Sequence, residues 1–152
     1  MAEVMGFSYE GVYSPILEYL KELDKLYVNG HFMATVVFAS TILEHLIKQE
    51  LYPVADIDRV DKAGLGTLCT MARRAKVLTK IKAGQVRLVN KMRNTILHVD
   101  ISFAQQLMGE ANPEIEDPYV QMIWFFSGSQ LSLMASVCAN IARNFAINRS
   151  TA

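Results

Sequence analysis

The sequence predicts an all-α fold, an antiparallel bundle of about five helices in a single domain of 152 residues. Three observations carry that prediction. Apolar residues recur at helical spacing through most of the chain. Cap-and-proline signals open two helices, and no run of alternating apolar and polar residues marks a strand. Half of the residues are hydrophobic and a fifth are charged, enough to fill a core and keep a solvated surface.

The first helix opens in "YSPILEYLKELDKLYVNG". Ser14 suits the N-cap and Pro15 the first helical position, and Asn29-Gly30 supplies the stop. Ile16, Leu17, Leu20, Leu23 and Leu26 form its apolar stripe. The second helix, "HFMATVVFASTILEHLIKQEL", is apolar on most sides, which places it at the centre, and Pro53 stops it. "YPVADIDRVD" reads as a loop. "GLGTLCTMARRAKVL" is a third helix, with Leu65, Leu68 and Met71-Ala72 turned inward, and "AGQVRLVNKMRNTILHVD" a fourth. Residues 101–117 read as irregular. Asp117-Pro118 then starts a last helix, running to about Ile147 with a bend at Ser127-Gly128-Ser129.

Pro118 to Ala142 contains no charged residue, a length that could span a bilayer. Gln121, Ser127, Ser129, Gln130, Ser132, Ser136 and Asn140 interrupt it, and each would need a partner in lipid, so a buried or subunit-interface helix is expected instead. Ser132/Ser136 and Ala135/Ala139 would allow close helix approach, and a homodimer that buries part of this helix or the fourth is expected. The first residues have neither a basic start nor an apolar run, so no secretory signal is expected. Cys69 and Cys138 fit no metal or redox spacing, and two lone cysteines point to a reducing compartment, the cytoplasm. His31, His45 and His98 have no ligand spacing, so no metal or other cofactor is expected.

A formal net charge of zero conceals an asymmetry. Nine of the fifteen basic residues fall between Lys62 and Val99, and that segment has no Asp or Glu. It carries +9 and the remainder −9. Such a block binds phosphate backbones, or docks on the acidic remainder of its own or a neighbouring subunit.

On the fourth helix, a step of about 100° per residue gathers Val86, Leu88, Val89, Met92, Ile96, Leu97 and Val99 on one wide apolar arc. Arg87, Asn90, Lys91, Asn94 and His98 fall opposite, with Asn90, Asn94 and His98 forming a polar ridge. Arg93 falls inside the apolar sector. A buried guanidinium needs a partner. Glu44 is the leading one, the only acid well inside the second helix, and a Glu44–Arg93 ion pair is the structural reading of that arginine.

The stretch "RNTILH" is Arg-Asn-x-x-x-His, and it resembles the signature of HEPN domains, in which an Arg, a polar residue and a later His sit near the end of an inner helix. "ATVVFASTILEHLIKQEL" looks like the family's early helix with an inward Glu, and "LGTLCTMARRAKVLTKI" like the segment leading to the motif. "HVDISFAQQ" is similar to the mannitol operon repressor branch. The resemblance spans roughly residues 30 to 110. It implies a metal-independent endoribonuclease of toxin or defence type, with two subunits bringing their motifs together in a cleft. His98 would move protons between the ribose 2′-OH and the leaving 5′-oxygen, Arg93 would hold the phosphate, and Asn94 would orient either. Arg87, Asn90 and Lys91 would contact RNA. The partners implied are a second copy, RNA, and a cognate antitoxin or regulatory protein. The other role the resemblance allows is a non-catalytic interaction module, with Arg93 locking the fold or the dimer.

Overall fold

The computed structural model describes residues 3–4, 7–8, 14–98 and 129–151, with side chains described for residues 15–97 and 131–148. The fold is an all-α bundle, with six helices among the described residues. Ahead of them lies a two-residue antiparallel ladder that pairs Glu3 with Ser8 and Val4 with Phe7.

Helix α1 spans Ser14–Val28 and α2 spans Phe32–Leu51. Gly30, at φ 78°, gives the left-handed residue that ends α1. The Gly30 N–H donates to the Tyr27 carbonyl at 3.0 Å and the His31 N–H to the Leu26 carbonyl at 2.9 Å, which satisfies these two carbonyls of the last turn of α1. The chain then reverses. Tyr27 meets Phe32 at 5.6 Å between ring centroids, and Tyr19 meets Phe38 at 6.1 Å and His45 at 5.9 Å, so α2 runs back along α1.

Helix α2 is central, as its composition requires. Val36, Ala39, Ile42, Leu43, Ile47 and Leu51 are fully buried, and the helix touches every other helix of the bundle. Its two buried hydroxyls are satisfied within the helix. Thr35 donates to the His31 carbonyl at 2.8 Å and Ser40 to the Val37 carbonyl at 2.6 Å.

The expected loop after α2 contains a short helix, α3, over Ile57–Lys62. The Asp56 carboxylate caps it by accepting the Asp58 N–H at 3.1 Å, and Val60 pins it to the core. Asp61 ties it back to α2. Its carboxylate accepts the Tyr52 hydroxyl at 2.7 Å, and its carbonyl accepts the Lys48 ammonium at 3.3 Å.

Helix α4, Leu65–Arg74, stops earlier than its apolar pattern implies. Lys76 turns left-handed at φ 58°, and the Val77 N–H folds back to the Ala72 carbonyl at 2.8 Å. Arg73 donates to the Leu78 carbonyl at 2.9 Å, fixing the turn that buries Leu78. Helix α5, Lys80–His98, starts before the expected Ala83 because the Thr79 hydroxyl accepts the Lys82 N–H at 3.2 Å. It lies antiparallel to α4. The Cys69 thiol reaches the Ala83 carbonyl at 3.5 Å, and Gly66 sits against Asn90.

Helix α6, Ser129–Thr151, runs past the expected end near Ile147. The expected start at Pro118 and the residues before the proposed bend lie outside the described residues. Ala135, Ala139, Ala142 and Ala146 are buried within the subunit, where small side chains let α6 lie close along α2. Ala135 and Ala139 therefore serve the bundle's own core. Among the described residues, no helix is long and apolar enough to cross a membrane.

One buried ion pair crosses the bundle. Arg143 of α6 donates to Asp24 of α1 through Nε at 2.9 Å and Nη2 at 2.6 Å, and through Nη1 to the Asn140 side-chain carbonyl at 2.7 Å. Both charged side chains are almost fully removed from water.

Candidate nucleic-acid interface

Helix α5 carries the residues singled out in the sequence. Its buried residues Ala83, Val86, Val89, Met92 and Thr95 follow one another at intervals of three. In a 3.6-residue helix each such step turns the buried face back by about 60°. The face begins against α4, where Cys69 meets the Ala83 carbonyl, and ends against α6, where Cys138 lies 3.4 Å from the Met92 sulfur. Arg93 shares the direction of Val86 and Val89. By its level the buried face has turned onward, and the arginine stands half-buried at the edge of the core. Leu97, expected on the core arc, is 45% exposed for the same reason. Leu88 and Ile96 are partly buried, and Val99 lies outside the described residues.

The expected Glu44–Arg93 pair is not formed. Glu44 pairs with Lys48, one turn along its own helix, at 3.2 Å, and half-buried Glu44 is not a core carboxylate. Among the described residues, Arg93 forms no ion pair. The buried pair of this fold is Asp24–Arg143 instead.

The polar ridge is divided. Asn90 is half-buried against the first turn of α4, where a β-carbon on Gly66 would stand 3.1 Å from the Asn90 amide nitrogen. Asn94 is half-buried. Helix α5 ends at His98, whose side chain lies outside the described residues, about 7.5 Å along the axis from Arg93. Arg87 and Lys91 are exposed one turn apart, and Lys80 lies on the same side two turns earlier. They form a basic stripe about 16 Å long. Arg74 and Lys76, both exposed, extend it at the end of α4.

None of the nine basic residues between Lys62 and Arg93 forms an ion pair among the described residues; the four ion pairs there use Lys21, Lys25, Lys48 and Arg143. Within the described subunit the basic block is not docked on its acids. Two members have other contacts: Arg73 on the Leu78 carbonyl, and Lys82 over the Phe145 ring at 5.7 Å. The others leave a positive surface open to a polyanion.

Both cysteines are buried free thiols. Burial pushes the Cys138 thiol up to about 12. Burial raises Cys69 as well, against the opposing pull of Arg87 and Arg73. Neither is a nucleophile in this state. No group of three His, Cys, Asp or Glu side chains that could hold a metal occurs among the described residues.

No family model matches the chain, and no curated protein or solved structure matches it. The chemistry is therefore argued from these residues. The sequence reading missed a cleft at the other end of α5, where Lys82 and Phe145 meet side chains from α2 and the α4–α5 turn. Its lining comes from four separate segments, and no motif of spacing joins them.

Proposed function

We propose that this protein is a metal-independent endoribonuclease of HEPN type that acts as a homodimer, with Arg93, Asn94 and His98 from two subunits forming a composite site. The observation that carries the reading is Arg93. A half-buried guanidinium with no ion pair among the described residues is costly to keep and suited to an anion from outside the chain. The basic stripe of Lys80, Arg87 and Lys91 lies on the other side of the same helix and would hold the RNA backbone along its outer face.

The reaction requires no metal. One His98 takes the proton from the ribose 2′-OH, and the 2′-oxygen attacks phosphorus. The P–O5′ bond breaks, and the second His98 gives a proton to the leaving 5′-oxygen. The products are a 2′,3′-cyclic phosphate and a 5′-hydroxyl. The bidentate guanidinium of Arg93 stabilises the charge that grows on the phosphoryl oxygens, and Asn94 orients the phosphate or the imidazole. A cytoplasmic setting keeps Cys69 and Cys138 as thiols, and a cognate antitoxin would hold such an activity in check.

The second reading is a HEPN-like regulatory module similar to the mannitol operon repressor. Leu97, 45% exposed beside the motif, and Leu133 on α6, 60% exposed, favour it, because both offer apolar surface to a protein partner. Incubation of purified protein with mixed RNA in EDTA separates the two. Cleavage that falls about 10²–10⁴-fold in His98→Ala, with the fold intact, supports the nuclease. Arg93→Lys, which keeps the charge and loses the fork, should also lose most of the activity. Equal, near-zero cleavage by wild type and His98→Ala overturns the nuclease reading for the isolated protein and leaves the module.

A further inference from the structure

A cleft of about 420 Å³ opens where the C-terminal turns of α2 and α6 meet the α4–α5 turn and the first turn of α5. Its size lies in the range of small-molecule sites. Leu46 and Ile47 form one wall and Val77 and Leu78 another, and the Phe145 ring closes the third side. Lys82 stands among them. Its ammonium lies 5.7 Å from the centre of the Phe145 ring; the residue is half-buried and forms no ion pair among the described residues. Three features make this corner of the cleft electropositive. One is the ammonium itself. Another is the N-terminal end of the 19-residue helix α5, whose first turn carries Lys82. The last is the run of exposed cations Arg74, Lys76 and Lys80 beside it. At the rim, Glu50 and Asn148 add a carboxylate and an amide.

From this geometry we infer that the cleft is a binding site for a small aromatic carboxylate, whose carboxylate pairs with Lys82 while its flat body lies between the aliphatic walls and the Phe145 ring. The apolar lining rejects a strongly hydrated ligand such as free phosphate, which has no surface to bury there. Lys82, which forms no ion pair among the described residues, disfavours a neutral ligand of the same shape, which would leave it without a counter-charge. The cleft is separate from the proposed catalytic residues, although Lys80 beside it also belongs to the basic stripe. Lys82 and Arg93 are eleven residues apart on one helix, about 16 Å along its axis, and the inference does not depend on the nuclease reading.

The test is a titration of the full chain followed by amide ¹H–¹⁵N shifts, with indole-3-acetate, its neutral analogue indole-3-acetamide, and inorganic phosphate as probes. Indole-3-acetate should give saturable shifts confined to residues 46–50, 77–82 and 145–148, with Kd of about 1 mM or below. The amide should bind at least about tenfold more weakly, and phosphate should not shift these residues. In Lys82→Met, which keeps most of the stem and loses the charge, acid and amide should bind alike. Equal binding of acid and amide by the wild type overturns the inference, as do shifts centred elsewhere, a phosphate response in the cleft, or no saturation by about 10 mM. The acid–amide comparison on the wild type decides the matter even if Lys82→Met fails to fold.

Discussion

Asp24 and Arg143 show what one residue can decide. Each lies in the apolar stripe of its helix, Asp24 beside Leu20 and Leu23, Arg143 beside Ala139 and Ala142. Reasoning that a charge in an apolar stripe needs a partner applies to these two as it does to Arg93 and Glu44. The stripe positions were legible; the pairing was not, because it joins helices 119 residues apart. Asp24→Ala leaves a guanidinium buried without its carboxylate and should cost about 3–5 kcal/mol in urea unfolding. Replacing both partners with apolar residues of similar volume should recover most of that loss. A cost below about 1 kcal/mol for the single change would mean that Arg143 finds water. The two thiols offer a milder test. With the Cys138 thiol held near 12 by burial, alkylation at pH 8.5 should leave it untouched in the folded chain, and both thiols should react once urea unfolds it. The raised pKa also has a sign: the folded state keeps this proton more firmly than the unfolded state, whose thiol has an ordinary value of 9.0. That stabilisation is complete below pH 9 and is lost as pH rises toward 12.

At the scale of elements, the long helices were legible and the short connections were not. Helices α1 and α2 follow their caps and stripes because local signals and burial agree there. Helix α3 was missed since its six residues have only one buried side chain, Val60, and their identity rests on a single Asp56 cap. The end of α4 was missed for a different reason. The apolar pattern continues through Val77 and Leu78, but the core takes Leu78 from a turn instead of a helix, and Lys76 accepts a left-handed φ of 58° to deliver it. Lysine has no backbone advantage there, and its side chain is exposed. Lys76→Gly should therefore stabilise the protein by about 1 kcal/mol, the left-handed penalty removed less the entropy that glycine adds to the unfolded chain. A rise in the urea midpoint with an unchanged slope would confirm it, and a fall would show that the turn depends on the lysine side chain. On α5 the drift of buried residues in steps of three is what placed Arg93 at an edge. A fixed 3.6-residue wheel puts Arg93 in the core, because it treats the neighbours as if they stood on one side of the helix. Helix α5 meets α4, α2 and α6 in turn.

For the whole molecule, the opposed charges of the basic segment and the remainder say more than the net charge of zero. A chain with a pI near 6.8 would not be chosen as a polyanion binder on its total. Glu18, Glu22 and Glu44 pair locally on α1 and α2, and the α4–α5 hairpin keeps its cations without ion pairs among the described residues. If this surface engages RNA, binding must release counterions, and affinity must fall steeply with salt although the protein is neutral overall. The His98→Ala variant allows that measurement without cleavage. For about five phosphate contacts on a single strand, log K should fall by roughly 3.5 for each tenfold rise in salt. Arg87→Gln with Lys91→Gln removes two exposed cations of the stripe and no core contact, so the slope should shrink by about 1.4 and thermal stability should hold within about 0.5 kcal/mol. Sedimentation of the same samples tests the assembly. The proposed composite site would need a dimer at tens of micromolar, and Leu97→Glu or Leu133→Glu should weaken it if these exposed leucines lie at the contact. A flat salt response, with a dimer intact, would assign the exposed leucines to a protein partner and the cations to solubility, and the nuclease reading would fail on physical grounds before any cleavage assay.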